Sequence, residues 1–131
     1  MGEQGKYAEL LKQFRGVATI AAGITLAWPW LFHAGVLIQW LMAFSELGHP
    51  PVAWRDDPMW LPWSGQYYWI TQLMFLAAIP IALPVSFLAA ALSAPTLGHA
   101  CIRCYIAIIN WGLVLTWTIW DPFRLFAWWL D

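Results

Sequence analysis

Residues 16–44 read GVATIAAGITLAWPWLFHAGVLIQWLMAF, a run without one Asp, Glu, Lys or Arg. A helix of about 20 apolar residues, rising about 1.5 Å each, crosses the hydrocarbon core of a bilayer. This run is longer, so a span drawn from it must tilt, kink or continue along the interface. Trp28-Pro29-Trp30 is the expected kink, because proline lacks a backbone donor and clashes with the preceding turn. A re-entrant pair split at that triplet is the alternative.

Two further charge-poor runs follow. Residues 67–92 read YYWITQLMFLAAIPIALPVSFLAAAL, with Pro80 and Pro84 inside. These prolines release the carbonyls of Leu76 and Pro80, which a neighbouring helix, water or a hydroxyl such as Ser86 must satisfy. The third run spans about 100–120, with Arg103 near its start. Asp121-Pro122 then predicts a stop and a restart, Asp as N-cap and Pro as first helical residue. The tail 122–130, PFRLFAWWL, is too short to cross and is expected to lie in the interface, anchored by Trp128 and Trp129.

Composition agrees. The 131 residues are 62% hydrophobic, 18% aromatic and 10% charged, against about 45–50% apolar and about 25% charged in soluble domains. So short a chain cannot hide that much apolar surface from water. Disorder needs low hydrophobicity and high charge. The net charge of −1 supplies no basic field for nucleic acid. No strand alternation predicts a barrel. The expected fold is therefore an all-α membrane protein, one integral membrane domain over residues 1–131. It has three transmembrane helices (about 16–44, 67–92 and 100–120, kinked at Pro29 and Pro80/Pro84), a Trp/Pro-rich outer loop and a short C-terminal interfacial helix.

Lys6, Lys12 and Arg15 precede the first span and Arg103 falls on their side, whereas Arg55 and Arg124 lie opposite. The positive-inside rule then puts the N-terminus in the cytoplasm and the C-terminus outside, as in a bacterial inner membrane. The segment KYAELLKQFR (6–15) is expected to form a short surface helix. The first apolar run far exceeds a signal-peptide core of about 7–15 residues, so it is read as a retained span. Gly2 lacks the Ser or Thr of a myristoylation motif.

The loop 46–66, ELGHPPVAWRDDPMWLPWSGQ, carries four prolines that forbid a long helix. Trp54, Trp60, Trp63 and Trp69 read either as an interfacial belt or as a docking surface. Trp28, Trp30, Trp40, Trp111 and Trp117 fall within predicted spans, where they pack on helices or against a flat cofactor. Ala78, Ala82, Ser86 and Ala90 form a small-residue stripe that admits another backbone. Gly23, Gly35 and Gly112 offer further contact points, and Gln39, Gln72 and Asn110 are buried amides.

Cys101-Ile-Arg-Cys104 sets two thiols at i and i+3 on a helix start, where the helix N-terminus and Arg103 favour thiolate. The fragment CIRCYIAI resembles the thiol pair of quinone-linked membrane thiol oxidoreductases, the DsbB-like and vitamin K epoxide reductase-like families. That resemblance implies thiol–disulfide exchange with a quinone, through a second cysteine pair in an outer loop. This chain has two cysteines in all, and its expected orientation puts the pair on the other face. The bland reading is that both thiols are small packing residues. Tyr105 stands where haem c attachment needs His, and His99, Cys101 and Cys104 fall short of the usual four ligands of a zinc or iron–sulfur site.

His33 sits inside the first run, and a polar ring there needs a partner. It reads as an axial ligand to haem or a chlorin, as a proton relay, or as a ring bonded to a carbonyl freed near the kink or to Gln39, Gln72 or Asn110. His49, Asp56, Asp57 and Met59 share the outer loop, but Asp-Asp-Pro is ordinary turn chemistry. No catalytic or metal-binding set is predicted.

The expected function is a small accessory subunit of a multisubunit membrane complex. Energy-transducing electron transfer is the favoured setting, and a secretion or conjugation apparatus the other. Action is by helix packing and by positioning lipid, haem, chlorin or quinone among other integral membrane subunits. The alternatives are thiol redox through Cys101/Cys104 and haem or pigment binding through His33.

Overall fold

A computed structural model of the chain describes residues 3–122 and 124–130, with side chains from Tyr7 onward. Met1, Gly2, Phe123, Asp131 and the side chain of Lys6 lie outside the described residues. Among the described residues every regular element is helical: α1 (Glu3–Leu47), a 3-10 turn (Pro58–Trp60), α2 (Ser64–Ala77), a π-helical segment (Ala78–Ala82), α3 (Leu83–Leu92), α4 (Leu97–Trp120) and α5 (Leu125–Trp129). Three stretches are long and apolar enough to cross a membrane: Tyr7–Leu47, Ser64–Leu92 and Leu97–Trp120.

The first stretch differs from expectation at both ends. Residues 6–15 form no separate surface helix; α1 runs unbroken through Pro29 for 45 residues, about 68 Å at 1.5 Å per residue. Neither a re-entrant pair nor a break appears at Trp28-Pro29-Trp30. The triplet is held by its own neighbours instead, as described below. Gly48 ends the helix, with φ of +73° and its N–H on the Phe44 carbonyl. A left-handed residue there satisfies a terminal carbonyl that nothing else reaches.

The second stretch absorbs its prolines by widening rather than by stopping. Around Pro80 the helix becomes π-helical, and the Leu83 N–H reaches back five residues to the Ala78 carbonyl. Single π turns commonly take up such local misfits. Ser86 was expected to serve the freed Pro80 carbonyl; its hydroxyl bonds the Leu83 carbonyl instead, at 2.7 Å.

Helix α4 starts earlier than expected, because Thr96 caps it by accepting from the His99 N–H. It runs parallel to α1. His33 meets Thr118 and Trp30 meets Asn110. Beyond those contacts α1 continues 14 residues to Leu47, while α4 continues two to Trp120. The 12-residue overshoot is about 18 Å. At the Arg103 end three helices therefore pack side by side. At the loop end only α1 and α2 remain as long helices, and the chain must fill the third place otherwise.

It does so with the tail. After Trp120 the backbone turns through Asp121 (φ +35°) and Arg124 (φ +54°) and folds back as α5. Pro122 lies in the turn, not in the first helical position. Asp121 is not the N-cap expected of it: Arg124 holds that position and Asp121 ends α4, although its carboxylate reaches across the turn to accept from the N–H groups of Phe126 at 3.2 Å and Ala127 at 2.8 Å. The chain's surface is 8749 Å², against about 7,000 Å² for a soluble monomer of 15 kDa, and large apolar side chains lie on it along all three long helices. On α4 only Ala107, Trp111 and Val114 are buried, while Ile102, Ile106, Ile109, Leu113 and Ile119 are exposed.

Candidate functional site

The polar side chains of the three long helices converge on two places. The first is beside Trp28-Pro29-Trp30. His33 Nδ1 lies 2.6 Å from the Pro29 carbonyl and Nε2 lies 3.0 Å from the Thr118 hydroxyl. A carbonyl only accepts, so Nδ1 carries the proton, while the single proton of the Thr118 hydroxyl has two acceptors in reach, His33 Nε2 and the Val114 carbonyl at 2.9 Å. Trp28 donates to the Met74 carbonyl at 3.0 Å and Trp30 to Asn110 Oδ1 at 2.9 Å. Asn110 in turn donates to the Leu26 carbonyl at 3.1 Å. The indoles expected at the kink thus tie α1 to α2 and α4. His33 is half-buried and edge-on to Phe126, with ring centroids 4.7 Å apart. A cavity of about 280 Å³ opens beside it, bounded by Trp30, Trp117 and Leu37. Ligation of a metal by Nε2 would first have to displace Thr118.

The second place is the loop end, where a polar chain runs through an aromatic core. Trp129 Nε1 donates to Thr71 Oγ1 at 2.9 Å, and the Thr71 hydroxyl lies 3.0 Å from Gln39 Oε1. Gln39 Nε2 donates to the Ser64 carbonyl at 3.1 Å. Gln39 and Ser64 are fully buried. Trp128 donates to the Asp56 carbonyl and so pins the loop between α1 and α2. Trp128 and Trp129, expected as exposed interfacial anchors, are both 0% exposed and pack with Phe32, Val36, Ala43, Leu125 and Phe126. The correction has a plain cause. The early end of α4 leaves a void between α1 and α2, and two indoles fill it while keeping their N–H groups bonded.

Glu46 and Ser64 carry a contact that the sequence reading missed. Glu46 Oε1 accepts from the N–H groups of Trp63 at 3.1 Å and Ser64 at 2.9 Å, capping α2 from the end of α1. Gly65 lies tight against the turn: a Cβ there would stand 2.6 Å from the Met59 carbonyl oxygen. Asp57 caps the 3-10 turn through the Met59 N–H. Asp56 accepts from Arg55 and from the Val52 N–H, and the guanidinium beside it holds its carboxyl below the ordinary range. Asp56 and Asp57 are thus spent on local structure, whereas Glu46 Oε2 is buried without a hydrogen-bond partner among the described residues. Among the described residues no group of three His, Cys, Asp or Glu side chains comes together.

The small-residue stripe is also used internally. Ala78, Ala82, Ser86 and Ala90 are all buried, and the Ser86 hydroxyl accepts from Trp111 Nε1 at 2.9 Å. The backbone it was expected to admit is supplied within the chain, by α1 and α4. Gly35 approaches Thr71, whereas a Cβ at Gly23 or Gly112 would touch nothing within 4 Å. Those two are not contact points within the chain. Gln72 bonds its own helix neighbour, Tyr68.

Cys101 is exposed, and Cys104 is partly buried with its Sγ 3.9 Å from the Phe87 carbonyl. The Arg103 guanidinium bonds Ser93 Oγ at the end of α3. Trp54, Trp60, Trp63 and Trp69 are exposed around the loop end, Trp54 at 89%. Comparison of the chain with protein-family models, with curated proteins and with solved structures finds no match.

Proposed function

We propose that this protein is a three-span integral membrane protein that serves as a non-catalytic accessory subunit of a larger membrane complex. Its N-terminus is cytoplasmic and its C-terminus lies outside, in a membrane of the bacterial inner-membrane type. The observation that carries this reading is the division of labour among side chains. His33, Gln39, Thr71, Ser86 and Asn110 bind one another's helices, so the polar groups serve packing. Meanwhile α4 turns most of its circumference outward as Ile, Leu and Trp. Such a surface suits lipid and neighbouring helices, where van der Waals fit drives association.

Within that class we favour an energy-transducing, electron-transfer complex. The half-open cavity bounded by His33, Trp30 and Trp117 gives a flat ring an aromatic bed. Purification from native membranes in a mild detergent tests the proposal. Co-migration with other membrane subunits is expected. A monodisperse 15 kDa monomer with an activity of its own would overturn it.

A further inference from the structure

A cavity of about 570 Å³ lies at the loop end between the start of the outer loop and the turn that leads into α5. That volume is in the range of small-molecule sites. Trp40 and Ile119 bound it on the helix side, Trp54 on the loop side, and Asp121 and Arg124 on the turn. Those two charged residues bound one space but form no ion pair with each other. Among the described residues the Arg124 side chain makes no hydrogen bond or ion pair, whereas Arg55 nearby is tied to Asp56. The Asp121 oxygens each accept one backbone N–H, and a carboxylate has lone pairs to spare.

Backbone strain gathers at the same place. Trp54, Asp121 and Arg124, at φ of +68°, +35° and +54°, are the non-glycine residues with left-handed backbone among the described residues. All three bound this cavity. Strain of that kind concentrates at ligand clamps.

We propose that this cavity binds the headgroup of a zwitterionic membrane phospholipid of the phosphoethanolamine type. Arg124 takes the phosphodiester through charge-assisted hydrogen bonds. Asp121 takes the ammonium, and the indoles of Trp40 and Trp54 face the cationic group and the glycerol. Ile119 and Trp40 lead the acyl chains down toward α4. A site with one free cation beside one carboxylate complements a zwitterion better than a net anion. The inference rests on the membrane reading above. A chain that stays in the membrane but shows no lipid preference fails here alone.

Native mass spectrometry of the full chain, released from mild detergent with equal phosphatidylethanolamine and phosphatidylglycerol, tests it. Retention of phosphatidylethanolamine over phosphatidylglycerol is expected. Arg124→Gly removes the guanidinium and eases the left-handed backbone, so it stays folded, as far-UV circular dichroism would verify. It should lower phosphatidylethanolamine retention about tenfold, while Arg124→Lys keeps most of it. Asp121→Asn should erase the preference between the two lipids. Equal retention of both lipids by the native chain overturns the proposal, as does undiminished retention by Arg124→Gly. Equally tight binding of glycerophosphoethanolamine, which has no acyl chains, would show a soluble metabolite site instead.

Discussion

At the Arg103 end of the bundle the buried residues are small, Ala18, Ala22, Ala89, Ala90, Ser93 and Ala107; at the loop end Phe32, Val36, Leu125, Phe126, Trp128 and Trp129 are buried together with Gln39, Ala43, Ser64 and Thr71. Small side chains let three helices approach closely and need little else. Large rings are needed where one helix is missing and a void must be filled. The polar inventory follows the same division. The loop end joins its indoles through Thr71, Gln39 and Ser64, whereas the small-residue stripe on α3 has the single Ser86–Trp111 bond. One bundle thus uses close backbone contact at one end and an aromatic plug at the other.

The plug should be the more sensitive to mutation. Trp129→Ala removes a fully buried ring and its bond to Thr71, a loss of about 3–5 kcal/mol, read as unfolding in mixed detergent micelles. Trp129→Phe keeps most of the volume and should cost only about 1 kcal/mol. If both variants unfold like the native chain, the tail does not close the bundle. Gly65→Ala comes next. Its Cβ meets a backbone oxygen that cannot rotate away, so a loss of about 1–3 kcal/mol is expected, with faster hydrogen exchange confined to the loop end.

At the other end Ser86→Ala leaves the Trp111 N–H without its acceptor. Bonds between membrane helices average about 0.6 kcal/mol and reach about 1.7, so the effect should be smaller than either change at the plug. A larger loss than for Trp129→Ala would invert the comparison. The smallest expected effect is on acidification. Arg55 depresses the Asp56 pKa, so the stability Asp56 lends is present above the unfolded carboxyl value of about 3.9 and is lost as pH falls through the lower folded value. Protection of the Val52 amide, bonded to Asp56, should fall over that acid range and be insensitive to pH in Asp56→Asn.

The sequence was informative where one physical signal dominates. Two charge-free runs and a third interrupted near its start by Arg103 announced the three long helices, and their observed bounds, Tyr7–Leu47, Ser64–Leu92 and Leu97–Trp120, enclose the expected ones. Asp-Pro announced the stop after α4, but the N-cap position it assigned to Asp121 belongs to Arg124 and Pro122 lies in the turn. What was hidden depends on relative helix length. Nothing local to PFRLFAWWL says that α4 ends about 18 Å short of α1, yet that mismatch turns Trp128 and Trp129 from surface anchors into core. Likewise the AxxxAxxxSxxxA stripe signals close approach without saying whose helix approaches. His33 was read as needing a partner, but it takes the carbonyl of Pro29 itself rather than one freed by the proline, and Thr118 lay 85 positions away and carried no signal.

All of this presupposes that the three long helices sit in lipid, and alkaline carbonate extraction of native membranes tests that most directly. The account predicts that the chain stays in the membrane pellet with integral proteins. Its release into the carbonate supernatant, as a compact species free of detergent, would contradict it.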